Sequence, residues 1–212
     1  MRMRRKPNLD ARIEKCAHLL AGRPEVLRGR WLESFGFGEL RLELGCGKGR
    51  FTVETAKAAP DVLFVAFEKT ANVMVTALER AAGEGLQNVR FSSIYVNDLT
   101  EYFKPGELSR IYLNFPDPWP SERHAKRRLT GLIYLKQYAR ALRPGAEICL
   151  KTDNLPLYEY SLREFEYSGF EILEDMRDIH KDGPAGVLTD YELKFHGAGL
   201  PIYQCRARAT MP

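Results

Sequence analysis

Cysteine is scarce in this chain, and what there is stands apart. Cys16, Cys46, Cys149 and Cys205 form no C-x-x-C pair, and none of the four histidines is close enough in sequence to complete a zinc knuckle. That spacing argues against a disulfide framework, and no structural metal is expected. Single, scattered cysteines in a chain of enzyme size read as reduced buried thiols, so a cytoplasmic location is expected. Long apolar runs are also missing, and nothing approaches the length of a membrane span. Arg2, Arg4, Arg5 and Lys6 open the chain, but no apolar stretch follows them, so they are not read as a secretory signal. No repeat or low-complexity segment is visible. Nor does one sign of charge dominate: 32 Lys and Arg stand against 28 Asp and Glu, a net +4. That bias is too mild to argue for a nucleic-acid partner, and distribution matters more than the sum. Positive charge gathers at residues 2–6 and again at 123–128. Taken alone, either cluster fits a solvated face.

What is present is the composition of an ordinary globular domain. The chain has 212 residues, 44% hydrophobic and 28% charged, enough for one large α/β domain with short appendages. Residues 10–20 read as a helix, with Asp10 as N-cap and Ile13, Ala17 and Leu20 on one face. Gly, Pro and Arg break the pattern around 22–30. Short apolar strands are predicted at 40–44, 62–67, 89–96, 110–115, 146–151, 170–173 and 202–207. Helices fall between them at 51–59, 70–82, 132–142 and 156–168, with Arg143-Pro144-Gly145 and Gly169 as stops. Strands alternating with helices imply an α/β fold with a mostly parallel, seven-stranded sheet covered on both faces. The expected division is a basic N-terminal extension and helix at 1–35, then the main domain at 36–212.

Ligands of such sheets gather beyond the carboxyl ends of the strands, where strand order switches. The motifs of this chain fall there. Glu43-Leu44-Gly45-Cys46-Gly47-Lys48-Gly49 follows the first strand. Gly45 and Gly47 let the backbone turn tightly and approach a ligand. Phosphate-binding loops look similar, so the glycines alone are weak evidence. Glu43 tips the balance, because a carboxylate there suits the ammonium of an amino-acid ligand and would repel the pyrophosphate of a nicotinamide cofactor. Glu68 ends the second strand, where a carboxylate can accept both ribose hydroxyls of an adenosine. Asn97 and Asp98 follow the third strand, where an amide or carboxylate is placed for an adenine amino group; a turn or helix cap is the plainer use. An ammonium, a ribose and an adenine together describe S-adenosylmethionine (AdoMet).

Asn114-Phe115-Pro116-Asp117-Pro118-Trp119-Pro120 follows the fourth strand. Its three prolines exclude helix and ladder pairing and stiffen the loop around Asp117. Its aromatics suit stacking on a base. Directly after it come Arg123-His124-Ala125-Lys126-Arg127-Arg128, a run that suits a phosphate backbone.

This combination resembles the bacterial tRNA (guanine-N7)-methyltransferases, and the resemblance spans nearly the whole chain. Its most specific part is Asp117-Pro118-Trp119-Pro120 with Arg123-His124 and Lys126-Arg127-Arg128-Leu129-Thr130; Thr189-Asp190-Tyr191-Glu192-Leu193-Lys194-Phe195 closes it. The resemblance implies a Rossmann-like class I methyltransferase fold and AdoMet held by Glu43, Gly45, Gly47, Glu68, Asn97 or Asp98, and Asp117. It implies tRNA contacts by the run Arg123 to Arg128, and substrate contacts by residue 121, Asp153 and Thr189, Asp190, Tyr191 and Glu192. The implied target is the variable-loop guanine at tRNA position 46, and the implied assembly a monomer or homodimer. The family usually has Lys after D-P-W-P. Ser121 stands there here and removes a cation near the substrate.

Guanine N7 carries an in-plane lone pair and no proton, so no general base is required. Asp117 is the first choice for stabilising the cationic product ring, with Asp153 and Glu192 as supports. Two other readings are weighed: an AdoMet enzyme acting on another nucleic-acid base, and a non-catalytic RNA-binding module that retains the fold.

Overall fold

The computed structural model describes residues 5–195 and 200–210; Arg2 and Arg4 of the N-terminal basic cluster lie outside them. Seven strands form one sheet: β1 (Glu39–Leu44), β2 (Val62–Phe67), β3 (Val89–Ser92), β4 (Leu108–Asn114), β5 (Leu142–Thr152), β6 (Phe170–Met176) and β7 (Tyr203–Ala209). Their order is β3-β2-β1-β4-β5-β7-β6. The β3 to β5 part is parallel throughout, and β7 runs antiparallel to both its neighbours. Among the described residues, seven α-helices accompany them: α1 (Leu9–Glu14), α2 (Trp31–Phe35), α3 (Arg50–Ala58), α4 (Ala71–Gly83), α5 (Leu132–Ala141), α6 (Leu155–Tyr167) and α7 (Asp190–Phe195).

The apolar runs explain the two-sided burial. All six residues of β2 are buried. Leu63, Val65 and Phe67 enter the core shared with α2, α5 and α6, while Val62, Phe64 and Ala66 enter the core shared with α3 and α4. Period-two alternation thus sends one strand into two cores, as a central parallel strand requires. Strand order reverses between β1 and β4, which puts the switch point beside the glycine loop.

Several local expectations are corrected. The helix expected over 10–20 ends at Glu14 and continues as a single 3-10 turn, Ala17–Leu19. Beyond it Leu20 and Ala21 turn to the backbone of Phe91, and that sheet contact replaces further helix. The N-cap is Asn8, not Asp10, and Asp10 instead pairs with Arg5. Residues 22–30 are more than a break in the pattern: they hold a 3-10 turn, Pro24–Leu27, and lead into α2. There Trp31 is fully buried and donates to the Tyr102 carbonyl at 2.9 Å. The third strand stops at Ser92 rather than reaching Val96. Arg143-Pro144-Gly145 does not separate α5 from a later strand, because β5 starts at Leu142. The register jumps from Leu108–Leu142 to Arg110–Glu147, so the proline sits in a bulge where no ladder donor is needed. The helix α7 has no counterpart among the expected elements. Among the described residues no helix is long and apolar enough to cross a membrane.

Candidate active site

The glycine loop is built from three left-handed glycines, Gly45, Gly47 and Gly49. Gly49 shows most clearly why a side chain is excluded. A Cβ there would lie 2.4 Å from Ala77 Cβ and 2.8 Å from Ala77 Cα, so only glycine lets α3 start against α4. Around Gly45, by contrast, the space a Cβ would take is open. Gly45 N donates to the Phe67 carbonyl at 2.7 Å, which ties the loop to the end of β2.

Glu43 and Asn114 close the switch point from its two sides. Asn114 Nδ2 donates to Glu43 Oε1 at 2.8 Å, and the Thr52 hydroxyl donates to Glu43 Oε2. Glu43 is buried, and burial lifts its carboxyl to about 7 although both hydrogen bonds and Lys151 oppose the shift. A buried carboxyl held this way gains most from a cation brought to it. Glu68 is buried as well and accepts from Gly47 N at 3.1 Å and Thr70 N at 3.0 Å.

Two cavities of about 290 Å³ each open from this floor. One is lined by Glu68, Ile94, Tyr95, Asp117, Trp119 and Tyr134 among others. The other is lined by Glu43, Gly47, Arg50, Thr189, Asp190 and Tyr191 among others. Gly45, Asn114 and Phe115 line both, so the cavities meet at the glycine loop. Asn97 and Asp98 line neither. Asn97 is exposed and its carbonyl accepts from Gln137. Asp98 accepts from Thr100 N and Oγ1 at 2.8 and 2.7 Å, capping the 3-10 turn Leu99–Glu101; these bonds hold its carboxyl low. Residues 94–96 reach the cavity because β3 ends early.

The loop after β4 stores strain. Phe115 and Trp119 have φ of 51° and 42°, and each precedes a proline. Such a backbone costs roughly 1–3 kcal/mol per residue and persists only when surroundings enforce it. Phe115 packs on Tyr191 at 4.6 Å between ring centres. The Trp119 carbonyl accepts from Arg128 at 3.1 and 3.3 Å. Between them Asp117 stands exposed, with Lys69 Nζ at 2.9 Å.

The basic run divides in two. Arg123, Lys126 and Arg127 are exposed or half-exposed on the 3-10 turn Glu122–Arg127, which Ser121 precedes and which carries His124 and Ala125 half-buried. Arg127 also lies over the Trp119 ring at 4.9 Å. Arg128 turns inward: it is buried, pairs with Glu122 at 2.8 Å and lies over Tyr160 at 4.4 Å.

The segment at Thr189 is a capping box. Glu192 N donates to Thr189 Oγ1 at 3.0 Å and Thr189 N donates to Glu192 Oε2 at 2.6 Å. Glu192 is fully buried, with Lys151 Nζ and His180 Nε2 each 3.1 Å from Oε1. Its neighbours face outward. Asp190 is clasped by Arg80 at 2.9 and 3.0 Å, and Tyr191 donates to Asp153 at 2.8 Å. The structure therefore gathers Glu43, Gly45, Gly47, Glu68, Asp117, Thr189, Asp190 and Tyr191 around the joined cavities. It leaves Asn97, Asp98, Arg128 and Glu192 off their walls. Lys69, Thr52, Lys151 and His180 escape a reading of the sequence, because none sits in a motif and each is defined by a partner outside its own element.

A family model described as "Putative methyltransferase" matches residues 38–205. Two proteins named tRNA (guanine-N(7)-)-methyltransferase match along almost the entire chain. The one from Geobacillus kaustophilus is 44% identical over 98% of this chain and 96% of its own length. The one from Geobacillus thermodenitrificans is 43% identical over 98% and 97%. This chain belongs to the tRNA (guanine-N7)-methyltransferase family. The fold is that of class I methyltransferases more widely. The 16S rRNA methyltransferase KamB aligns with a TM-score of 0.62 at 16% identity, covering 84% of this chain and 90% of that one. A SAM-dependent methyltransferase from Aquifex aeolicus aligns with 0.57 at 15%, covering 96% and 100%.

The cofactor of the family fits the donor set. AdoMet has an ammonium, a ribose diol and an adenine, and the chain offers a buried carboxyl at Glu43, a second at Glu68 and an apolar slot at residues 94–96. Among the described residues no group of three or more His, Cys, Asp or Glu is arranged to hold a metal ion.

Proposed function

We propose that this chain transfers a methyl group from AdoMet to N7 of a guanine in tRNA, with the variable-loop guanine at position 46 as the target. The observation that carries the reading is the position of Asp117. It stands on a strained, proline-locked loop and lines the cofactor cavity together with Arg127, a member of the basic turn that also carries Arg123 and Lys126.

AdoMet supplies, when bound, a methyl group on a positively charged sulfur. The chain's own residues do the rest. Glu43 takes the ammonium and Glu68 the ribose hydroxyls. Phe115 and Trp119, fixed by their backbone, bound the slot through which a base must enter. N7 has no proton to lose, so no residue acts as general base. Asp117 lies beside the base as its ring becomes cationic and stabilises that charge. Lys69 holds the carboxylate in place until the acceptor arrives. Tyr191, fixed by Asp153, and Thr189 with Asp190 border the acceptor side; Glu192 acts through them by anchoring α7. Arg123, Lys126 and Arg127 meet phosphates, and Ser121 offers a neutral contact where the family has a cation. A paired guanine in an A-form helix keeps N7 in a deep, narrow groove, so the target must be held in a loop or tertiary setting.

The test is product analysis after incubation with bulk unmodified tRNA. The account expects 7-methylguanosine in the digest. Methyladenine, or binding of tRNA and AdoMet without transfer, contradicts it.

A further inference from the structure

The ammonium of AdoMet is only half of its amino-acid end. Its α-carboxylate also needs a partner, because a charge that loses water without gaining one is costly. Two cations line the cavity that holds Glu43: Lys48 and Arg50. Lys48 is exposed and Arg50 half-buried, and among the described residues no hydrogen bond reaches the buried Nε of Arg50. The nearby carboxylate of Asp190 is already committed to both terminal nitrogens of Arg80. Arg50 also opens α3, two residues before the Thr52 that holds Glu43. A single helical turn therefore carries the group that holds the ammonium receptor and a cation with spare donors. A guanidinium fork matches a carboxylate geometrically, and the unpaired amides of the first helical turn favour negative charge in the same place.

We propose that Arg50 receives the α-carboxylate of the cofactor, so that Glu43 and Arg50 read the two ends of its zwitterion. The inference rests on AdoMet being the cofactor, and the experiment separates the two. Isothermal titration of the full chain compares S-adenosylhomocysteine with decarboxylated AdoMet, which keeps the ammonium but lacks the carboxylate. In R50Q, affinity for S-adenosylhomocysteine falls about tenfold or more, the scale of removing a charge-assisted hydrogen bond, while affinity for the decarboxylated compound changes less than about threefold. K48Q is the comparator, and its loss is the smaller. The proposal is overturned if R50Q binds S-adenosylhomocysteine like the wild type. It is also overturned if both ligands weaken equally in R50Q and in R50A, or if K48Q suffers the greater loss. Failure of the wild-type chain to bind either compound sinks the cofactor reading itself.

Discussion

The two acidic groups most central to this site live under opposite conditions. Glu43 is buried, has its carboxyl raised to about 7 by that burial, and is hydrogen-bonded by Thr52 and Asn114. Asp117 has 60% of its side chain exposed and faces a lysine that is itself half in water. The floor of the site comes from strand ends and one tight turn, so its parts are fixed by the sheet. The rim comes from loops held in place by strain, stacking and ion pairs: Phe115 on Tyr191, Arg128 under Trp119, Glu192 between Lys151 and His180. The lesson is a division of labour. In the proposed reading, a floor fixed by the sheet takes the cofactor, and a rim held by side-chain contacts takes the acceptor.

That contrast can be broken at either side. The largest effect is expected at the rim. D117N lowers the rate of methyl transfer about 10²- to 10³-fold, the usual consequence of losing a group aimed at developing charge, while tRNA affinity stays within about threefold. Single-turnover rates beside a filter-binding titration check this, and equal losses in both would remove Asp117 from the chemistry. At the floor, G49A forces a Cβ into Ala77 from a left-handed backbone and costs about 3 kcal/mol of stability. Denaturant unfolding measures it, and a cost below about 1 kcal/mol would mean that α3 shifts freely against α4.

The pH dependence sharpens the contrast further. Glu43 binds its proton more tightly folded than unfolded, with its carboxyl raised from 4.5 to about 7. The folded state thus holds more protons between those values, and the stability linked to Glu43 falls as pH rises from about 4.5 to 7, then levels off. The span is at most about 3 kcal/mol, on the order of the shift itself. E43Q should melt near the wild type at about pH 5 and above it at about pH 8, while binding AdoMet more weakly. Parallel melting curves at both pH values would contradict a raised carboxyl. In the wild type, AdoMet affinity should rise between about pH 6 and 7, because the ammonium prefers ionised Glu43, and the rise should stop where the ligand's own α-ammonium loses its proton.

The smallest effect is expected from the surface. Replacing Arg123, Lys126 and Arg127 by Gln lowers the salt slope of tRNA binding by about one for each phosphate no longer neutralised and leaves the melting temperature unchanged. R128Q should do the reverse, lowering the melting temperature because the guanidinium that joins Trp119, Glu122 and Tyr160 is gone. If all four behave alike, the division of the basic run is wrong.

The sheet was largely legible in the sequence because buried parallel strands are written as unbroken apolar runs, as at Val62–Phe67. The seven strands fall close to their expected places. Elements fixed by tertiary contact were not legible. The edge strand β3 stops at Ser92, where its chain leaves for the cavity wall. The bulge absorbs Pro144 within β5, and α2 depends on Trp31 finding the Tyr102 carbonyl. The same holds in the site. Glu43, Glu68 and Asp117 announce themselves by sitting at or just past strand ends. Lys69 acquires its meaning only from a partner 48 residues away, and Lys151 from one 41 residues away. Arg128 shows the converse: a charge run in sequence says nothing about which member turns inward.

The most direct measurement uses two transcripts of one tRNA, identical except that the variable-loop guanine at position 46 is replaced by adenine in the second. Each is incubated with the enzyme and labelled AdoMet, and the modified base is mapped. The account predicts 7-methylguanosine at that position in the first transcript and no incorporation in the second. Equal incorporation in both, or a methylated adenine in either, would contradict it.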